Sequence, residues 1–226
     1  MKIIAIGGGG FTHETFPELD DFCLSHVEKS WPRVAYIGTA SDDEPVKIER
    51  FKSCFAGRTS ACIHLPMTLS SSNLSAALAD VDLVYVGGGD TEQMVAQWRT
   101  QGWDLALVKA YQSGVVLAGT SAGAVCWFDQ FLFNSGAGPM RPLAGLGLIS
   151  MGACPHYSSE TPRRTALHHA VTTKTMPATI AIDDGVAVAF ERGQPIEVCI
   201  AEAGANAHFV KLSAEAARAQ EAPLAL

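Results

Sequence analysis

Charge is scarce in this sequence. Only 17% of its 226 residues are Asp, Glu, Lys or Arg, and 16 basic against 23 acidic side chains leave a net charge of −7. That balance argues against a dedicated nucleic-acid binder, which needs a basic face. Long apolar runs are missing as well. The uncharged, apolar-rich stretch at residues 114–128 is about 15 residues long and includes Thr120 and Ser121, whereas a membrane span needs about 20 apolar residues. The opening MKIIAIGGGGF has a four-residue apolar run, where a secretory signal needs about 7–15. The six cysteines (Cys23, Cys54, Cys62, Cys126, Cys154, Cys199) form no CxxC pair. Without an export signal they are expected to be reduced thiols in the cytoplasm. No HExxH, clustered Cys/His set or EF-hand loop is present, so no metal and no other cofactor is expected.

Apolar residues are plentiful, at 48% of the chain, enough to bury a sizeable core and exclude global disorder. They fall in short runs separated by longer mixed segments. Residues 2–6, 33–37, 61–65, 83–86 and 115–118 are rich in Val, Ile and Leu, as expected of strands buried on both faces. Ser41 with Glu44 reads as a capping box opening a helix to Phe55, and Asp90 with Gln93 as one opening a helix to about Arg99. Residues 104–112 form a further helix ending near Gly114, and Pro162 starts another running to about Val171. Four strands then follow closely, at 179–182, 186–190, 197–201 and 208–212, with turns at Asp184-Gly185 and Arg192-Gly193. Such tight turns imply antiparallel pairing. The Ala-rich tail from Ser213 reads as a short helix or a frayed end. The expected fold is one α/β domain over 1–226: a three-layer sandwich whose mostly parallel sheet carries helices on both faces and antiparallel strands at its C-terminal end.

The strongest chemical signal is Gly119-Thr120-Ser121-Ala122-Gly123, between the strand at 115–118 and a helix-compatible run at 124–128. This is the setting of a nucleophile elbow: small neighbours permit a tight strand-to-helix turn that lifts the Ser121 hydroxyl clear of the backbone. The Ala122 N–H is one oxyanion donor, and the following helix points its N-terminus at developing negative charge. The bland alternative is a Gly-rich turn that only packs or binds phosphate. A second glycine cluster, Gly87-Gly88-Gly89, also follows a strand and could supply another donor. Gly7–Gly10 invites a dinucleotide reading, but no acidic residue ends a second strand about 20 residues on.

A nucleophilic serine needs a base and an orienting carboxylate. His156, in the loop Cys154-Pro155-His156-Tyr157, is more available than His26, His64, His168 or His169, which fall within elements. Asp184, at the end of a strand in Ile182-Asp183-Asp184-Gly185, is preferred as the carboxylate. Its competitor is Asp129, roughly 12 Å along the helix expected after Ser121. Arg163 and Arg164, opening the helix after His156, could hold a substrate carboxylate, or they could be ordinary surface arginines.

GTSAGA around Ser121, the upstream VGGGDT and the downstream CPHYSSE with RR together resemble the peptidase E and cyanophycinase family of serine peptidases, in order from the first strand to about Phe190. The resemblance implies a cytosolic enzyme on a sheet similar to class I glutamine amidotransferases. It also implies Ser121 as nucleophile, His156 as base, and Gly88 or Gly89 with Ala122 as the oxyanion hole. Asp184 stands where family members can carry the third carboxylate. The namesake enzymes are dipeptidases cleaving after an N-terminal aspartate, which implies a short-peptide substrate, and members often form homodimers. Two departures stand out: Asp90 replaces a frequent Asn, and residues 133–136 lack the carboxylate some members carry there, which favours Asp184. The alternatives are another acyl hydrolase or amidase using the same site, or a catalytically silent binding protein of the same fold. Neither a nucleic acid nor a membrane is an expected partner.

Overall fold

The computed structural model describes residues 1–226. In chain order the elements begin with β1 (Lys2–Ile6), α1 (Glu18–Ser25), β2 (Arg33–Ile37), α2 (Pro45–Phe55), β3 (Ala61–His64), α3 (Ser71–Leu78) and β4 (Leu83–Val86). Next come α4 (Thr91–Gln101), α5 (Trp103–Gln112), β5 (Val116–Thr120), α6 (Ala122–Val125), β6 (Phe128–Phe133), β7 (Arg141–Ala144) and β8 (Ile149–Cys154). The chain closes with α7 (Pro162–Thr172), β9 (Thr179–Ile182), β10 (Val186–Glu191), β11 (Gln194–Ile200), β12 (Ala207–Leu212) and β13 (Ala219–Pro223). No helix is long and apolar enough to cross a membrane.

The strands form two sheets. The first has seven, in the order β11-β10-β1-β5-β4-β2-β3. Its β1, β5, β4, β2 and β3 run parallel, while β10 and β11 continue it antiparallel from β1. The buried runs of the N-terminal half thus form the parallel sheet expected, but only two of the four C-terminal strands expected to extend it, β10 and β11, do so; β9 and β12 lie in the other sheet, where β9 pairs parallel with β8. The second sheet was not expected. It has six strands, in the order β13-β12-β9-β8-β6-β7, parallel across β6–β8 and β8–β9 and antiparallel elsewhere.

One core lies under α1 and α2, where Phe11, Phe22, Phe51 and Phe55 pack on Tyr36 and Tyr85. The larger core fills the other face of the first sheet, between α3, α4, α5 and the second sheet. Phe128 of β6 meets Phe190 of β10 edge-to-face, centroids 5.4 Å apart, so this contact joins the two sheets. A third core holds α7 against the second sheet through Tyr157, Leu167, Val171 and Val210.

Three local expectations are corrected. Ser41 caps no helix: its hydroxyl donates to the Gly38 carbonyl, and Asp42 and Asp43 are left-handed. The helix begins instead at Pro45, whose fixed φ suits a first helical position and forces Glu44 out of the helical region. The helix after Ser121 is a single turn, ending at Val125, because the aromatic-rich segment beyond it pairs as β6. The tail forms β13 rather than a helix. By contrast Asp90 caps α4 as expected, its carboxylate accepting from Gln93 N–H at 2.9 Å.

Candidate active site

Three glycine-containing loops meet at the carboxyl ends of adjacent parallel strands: Gly7–Gly10 after β1, Gly87–Asp90 after β4, and Ser121 directly after β5. Open α/β sheets place their ligands there. Ser121 is left-handed, φ 53° and ψ −113°, an uncommon state for a residue with a side chain. Its N–H is held by the Ile6 carbonyl at 2.9 Å. The turn closes only over a small neighbour, since a Cβ on Gly123 would strike the Val86 carbonyl.

His156 reaches this serine from the second sheet, just past the end of β8. Ser121 Oγ lies 2.8 Å from His156 Nε2, and His156 Nδ1 lies 2.6 Å from Asp184 Oδ1. With a proton on Nδ1 the ring donates to Asp184 and accepts from the serine hydroxyl. Asp184 sits between β9 and β10, where the chain crosses from the second sheet to the first. It is fixed there by an isolated bridge to Gly8 and by a Gly185 N–H to Gly8 carbonyl bond of 2.9 Å. Burial pushes the Asp184 carboxyl up. The hydrogen bonds of His156 and Ser159 and the charges of His156 and His13 outweigh it and hold the group below the ordinary carboxylate value. The carboxylate is therefore ionised throughout the neutral range.

Gly88 and Gly89 carry backbone N–H groups that donate to nothing in the protein, and a Cβ on Gly88 would lie 3.2 Å from Ser121 Cβ. Ala122 opens α6, so its N–H has no intrahelical partner. Free donors thus flank the serine from two loops. Because α6 is one turn long, individual N–H groups rather than an extended helix dipole provide any anion stabilisation. Lys47 of α2 donates to the Gly88 carbonyl at 3.5 Å and pairs with Glu44 at 3.2 Å.

The remaining expected residues lie elsewhere. Asp129 is exposed on β6 and makes no contact with His156. Arg163 is buried, its side chain 7% exposed, and it donates to Glu160 at 2.9 Å and to the Leu132 carbonyl at 3.1 Å. It has no free face to offer a substrate, and the expectation that it reads one is corrected on that ground. Arg164 donates to Glu221 at 2.7 Å and lies over the Tyr157 ring, with 53% of its side chain exposed.

Two residues were missed by the sequence reading. A Cβ on Gly8 would collide with Asp184 Oδ1 and lie 2.8 Å from His156 Cε1. The N-terminal glycine run is therefore the wall behind the His156–Asp184 pair, not a nucleotide loop. The signal was available, since that run ends a parallel strand. His13 is exposed, its ring edge-on to His156 with centroids 6.5 Å apart. Nothing in its sequence context marks it.

Fold and site define a mixed α/β protein with a serine on a strand-to-helix turn at the carboxyl edge of a parallel sheet. Residues 3–198 match the model of peptidase family S51, and the chain belongs to that family. It is 37% identical over 218 residues, 94% of this chain and 93% of the relative, to the uncharacterized peptidase YgaJ of Bacillus subtilis. A shorter likeness, 32% over 89 residues, links it to peptidase E of Citrobacter koseri, covering 38% of this chain and 39% of that one. Its fold matches the crystal structure of a peptidase from an acI-B1 Actinobacterium, with a TM-score of 0.74 at 20% identity over all of this chain and 95% of the other. The expected class I glutamine amidotransferase-like architecture agrees with that likeness.

Proposed function

We propose that the protein is a serine peptidase acting on short peptides through Ser121, His156 and Asp184. The observation that carries this reading is the continuous array from Asp184 Oδ1 through both ring nitrogens of His156 to Ser121 Oγ, with bonds of 2.6 and 2.8 Å. Ser121 Oγ attacks the scissile carbonyl while His156 Nε2 takes its proton. Asp184 holds the ring in the required tautomer and stabilises its cation. The N–H groups of Ala122 and of Gly88 or Gly89 receive the oxyanion, each donor typically worth about 3–4 kcal/mol in the transition state. The intermediate collapses as His156 gives its proton to the leaving amine, leaving the acyl group esterified to Ser121. Water, deprotonated by His156, then releases the acid and restores the serine.

A preference for an N-terminal aspartate is the finer part of the proposal. The resemblance to peptidase E supports it. Arg164, half-exposed though paired with Glu221, is a guanidinium that could meet a substrate carboxylate, and the His13 ring stands beside His156. The test is hydrolysis of Asp-Xaa, Glu-Xaa, Asn-Xaa and neutral-Xaa dipeptides by wild type and Ser121→Ala. Serine-dependent cleavage is expected, with kcat falling about 10⁴-fold or more in the variant. Fastest turnover of Asp-Xaa would support the finer reading. Unchanged turnover by Ser121→Ala would overturn the mechanism, and uniform rates across the panel would overturn the aspartate preference.

A further inference from the structure

The residues after His156 and before Asp184 in the chain enter one polar cluster that the reaction above does not use. Tyr157 is buried, and its hydroxyl donates to Glu221 of β13 at 2.7 Å. The same carboxylate takes Arg164 at 2.7 Å, His168 at 3.0 Å and His208 of β12 at 3.2 Å. His208 in turn lies 3.4 Å from the Asp183 carboxylate, which also accepts from the Asn206 N–H at 2.9 Å. The β12–β13 hairpin therefore grips the neighbour of each residue in the His156–Asp184 pair. His208 and Glu221 both lie beyond residue 198, where the match to the family model ends.

His156 needs such a grip. It is left-handed, φ 49°, a conformation that persists only where the surroundings over-determine it. Upstream its N–H is held by the Gly7 carbonyl at 3.3 Å. Downstream its own carbonyl accepts from the Glu160 N–H at 3.1 Å, and Tyr157 adds two anchors, its N–H to the Ile182 carbonyl, 3.2 Å, and its hydroxyl on Glu221. The second is a hydrogen bond to an ionised acceptor and so the stronger type. Burial pushes the Glu221 carboxyl up, but Tyr157, His168, Arg164 and His208 together hold it below its ordinary value, so it stays charged.

The geometry points to Glu221 as a positioning residue. From β13 it holds Tyr157, and through Tyr157 it holds the His156 ring on line with Ser121. The inference rests on the triad reading above. It makes the C-terminal hairpin part of the catalytic apparatus without touching substrate.

The experiment compares Glu221→Gln, Tyr157→Phe and Glu221→Asp with wild type and Ser121→Ala. Steady-state rates on the most rapidly cleaved dipeptide and the rate of fluorophosphonate labelling of Ser121 are both taken per folded molecule by circular dichroism. Glu221→Gln and Tyr157→Phe are expected to lower kcat and slow labelling by about tenfold or more, since displacements of about 1 Å at a reacting pair cost that much, with KM nearly unchanged. Glu221→Asp keeps the charge and is expected to recover most of both rates. Wild-type kcat and labelling in Glu221→Gln and Tyr157→Phe would overturn the inference. So would a rise in KM alone, which would place Glu221 in substrate binding. Should Ser121→Ala retain activity, the triad reading itself fails. Loss in Ser121→Ala with no loss in Glu221→Gln overturns only the role of Glu221.

Discussion

Ser121 and His156 both hold positive φ values, 53° and 49°, and neither is a residue that favours them. Strain of this kind collects where geometry matters more than local comfort. Asp184 carries the rest of the alignment. Its replacement by Asn keeps the shape but offers an amide where the ring needs an acceptor, so the wrong tautomer faces the serine. A loss in kcat of about 10⁴-fold is expected for Asp184→Asn. Glu would preserve the charge but adds a methylene beside Gly8, where the wall already abuts the carboxylate. Its kcat is expected between those of Asp and Asn. Asp129→Asn, exposed on β6, is expected to behave as wild type. Steady-state kinetics on the three variants checks this ordering, and a dead Asp129→Asn would reassign the carboxylate.

At the scale of elements, the site depends on how the two sheets meet. Ser121 leaves the first sheet, His156 leaves the second, and Asp184 lies on the crossing between them. Phe128 and Phe190 pack across that junction, and both are fully buried. Phe190→Ala is expected to cost about 3–5 kcal/mol of stability, as large aromatic truncations in cores do. Urea unfolding of the variant measures it, and a cost below about 1 kcal/mol would mean the junction does not carry the fold. The five parallel strands were legible because each is a near-continuous apolar run between turn residues, which is how doubly covered strands read. Ser121, His156 and Asp184 were legible because each stands at a strand end or in a loop. The second sheet was not. The burial of β6 follows no clean alternation, β7 contains Pro142, and the pairings that build the sheet from its two hairpins, β6–β8, β8–β9 and β9–β12, each join segments more than about 20 residues apart. Glu221 escaped for a related reason: its significance lies in partners 53 to 64 residues away, within a tail whose alanines speak for a helix.

For the whole molecule, the apolar composition leaves few charges to bury, and those that are buried must be satisfied or neutral. Asp20 of α1 is the case that breaks the pattern. It is 1% exposed, and its Oδ1 has no hydrogen-bond partner. It faces Tyr85 beneath Gly10, in the α1–α2 core. Burial raises its pKa to about 7, against smaller lowering effects from the Phe11 backbone, Cys54, Arg58 and Tyr85. Below about pH 4 the carboxyl is protonated both folded and unfolded and contributes no pH dependence. Between about pH 4 and 7 the unfolded chain gives up the proton while the folded chain keeps it, so this group makes stability fall as pH rises. Above about pH 7 the penalty is complete. With a limiting slope of about 1.4 kcal/mol per pH unit, it approaches about 4 kcal/mol as an upper bound. Asp20→Asn removes the titration and keeps an acceptor for Phe11. Its stability relative to wild type is therefore expected to grow by about 3 kcal/mol between pH 5 and pH 8. Urea unfolding at the two pH values reads the difference directly. An offset that does not change with pH would mean that Asp20 has the same charge folded and unfolded, and that the core beneath the glycine loop tolerates a carboxylate after all.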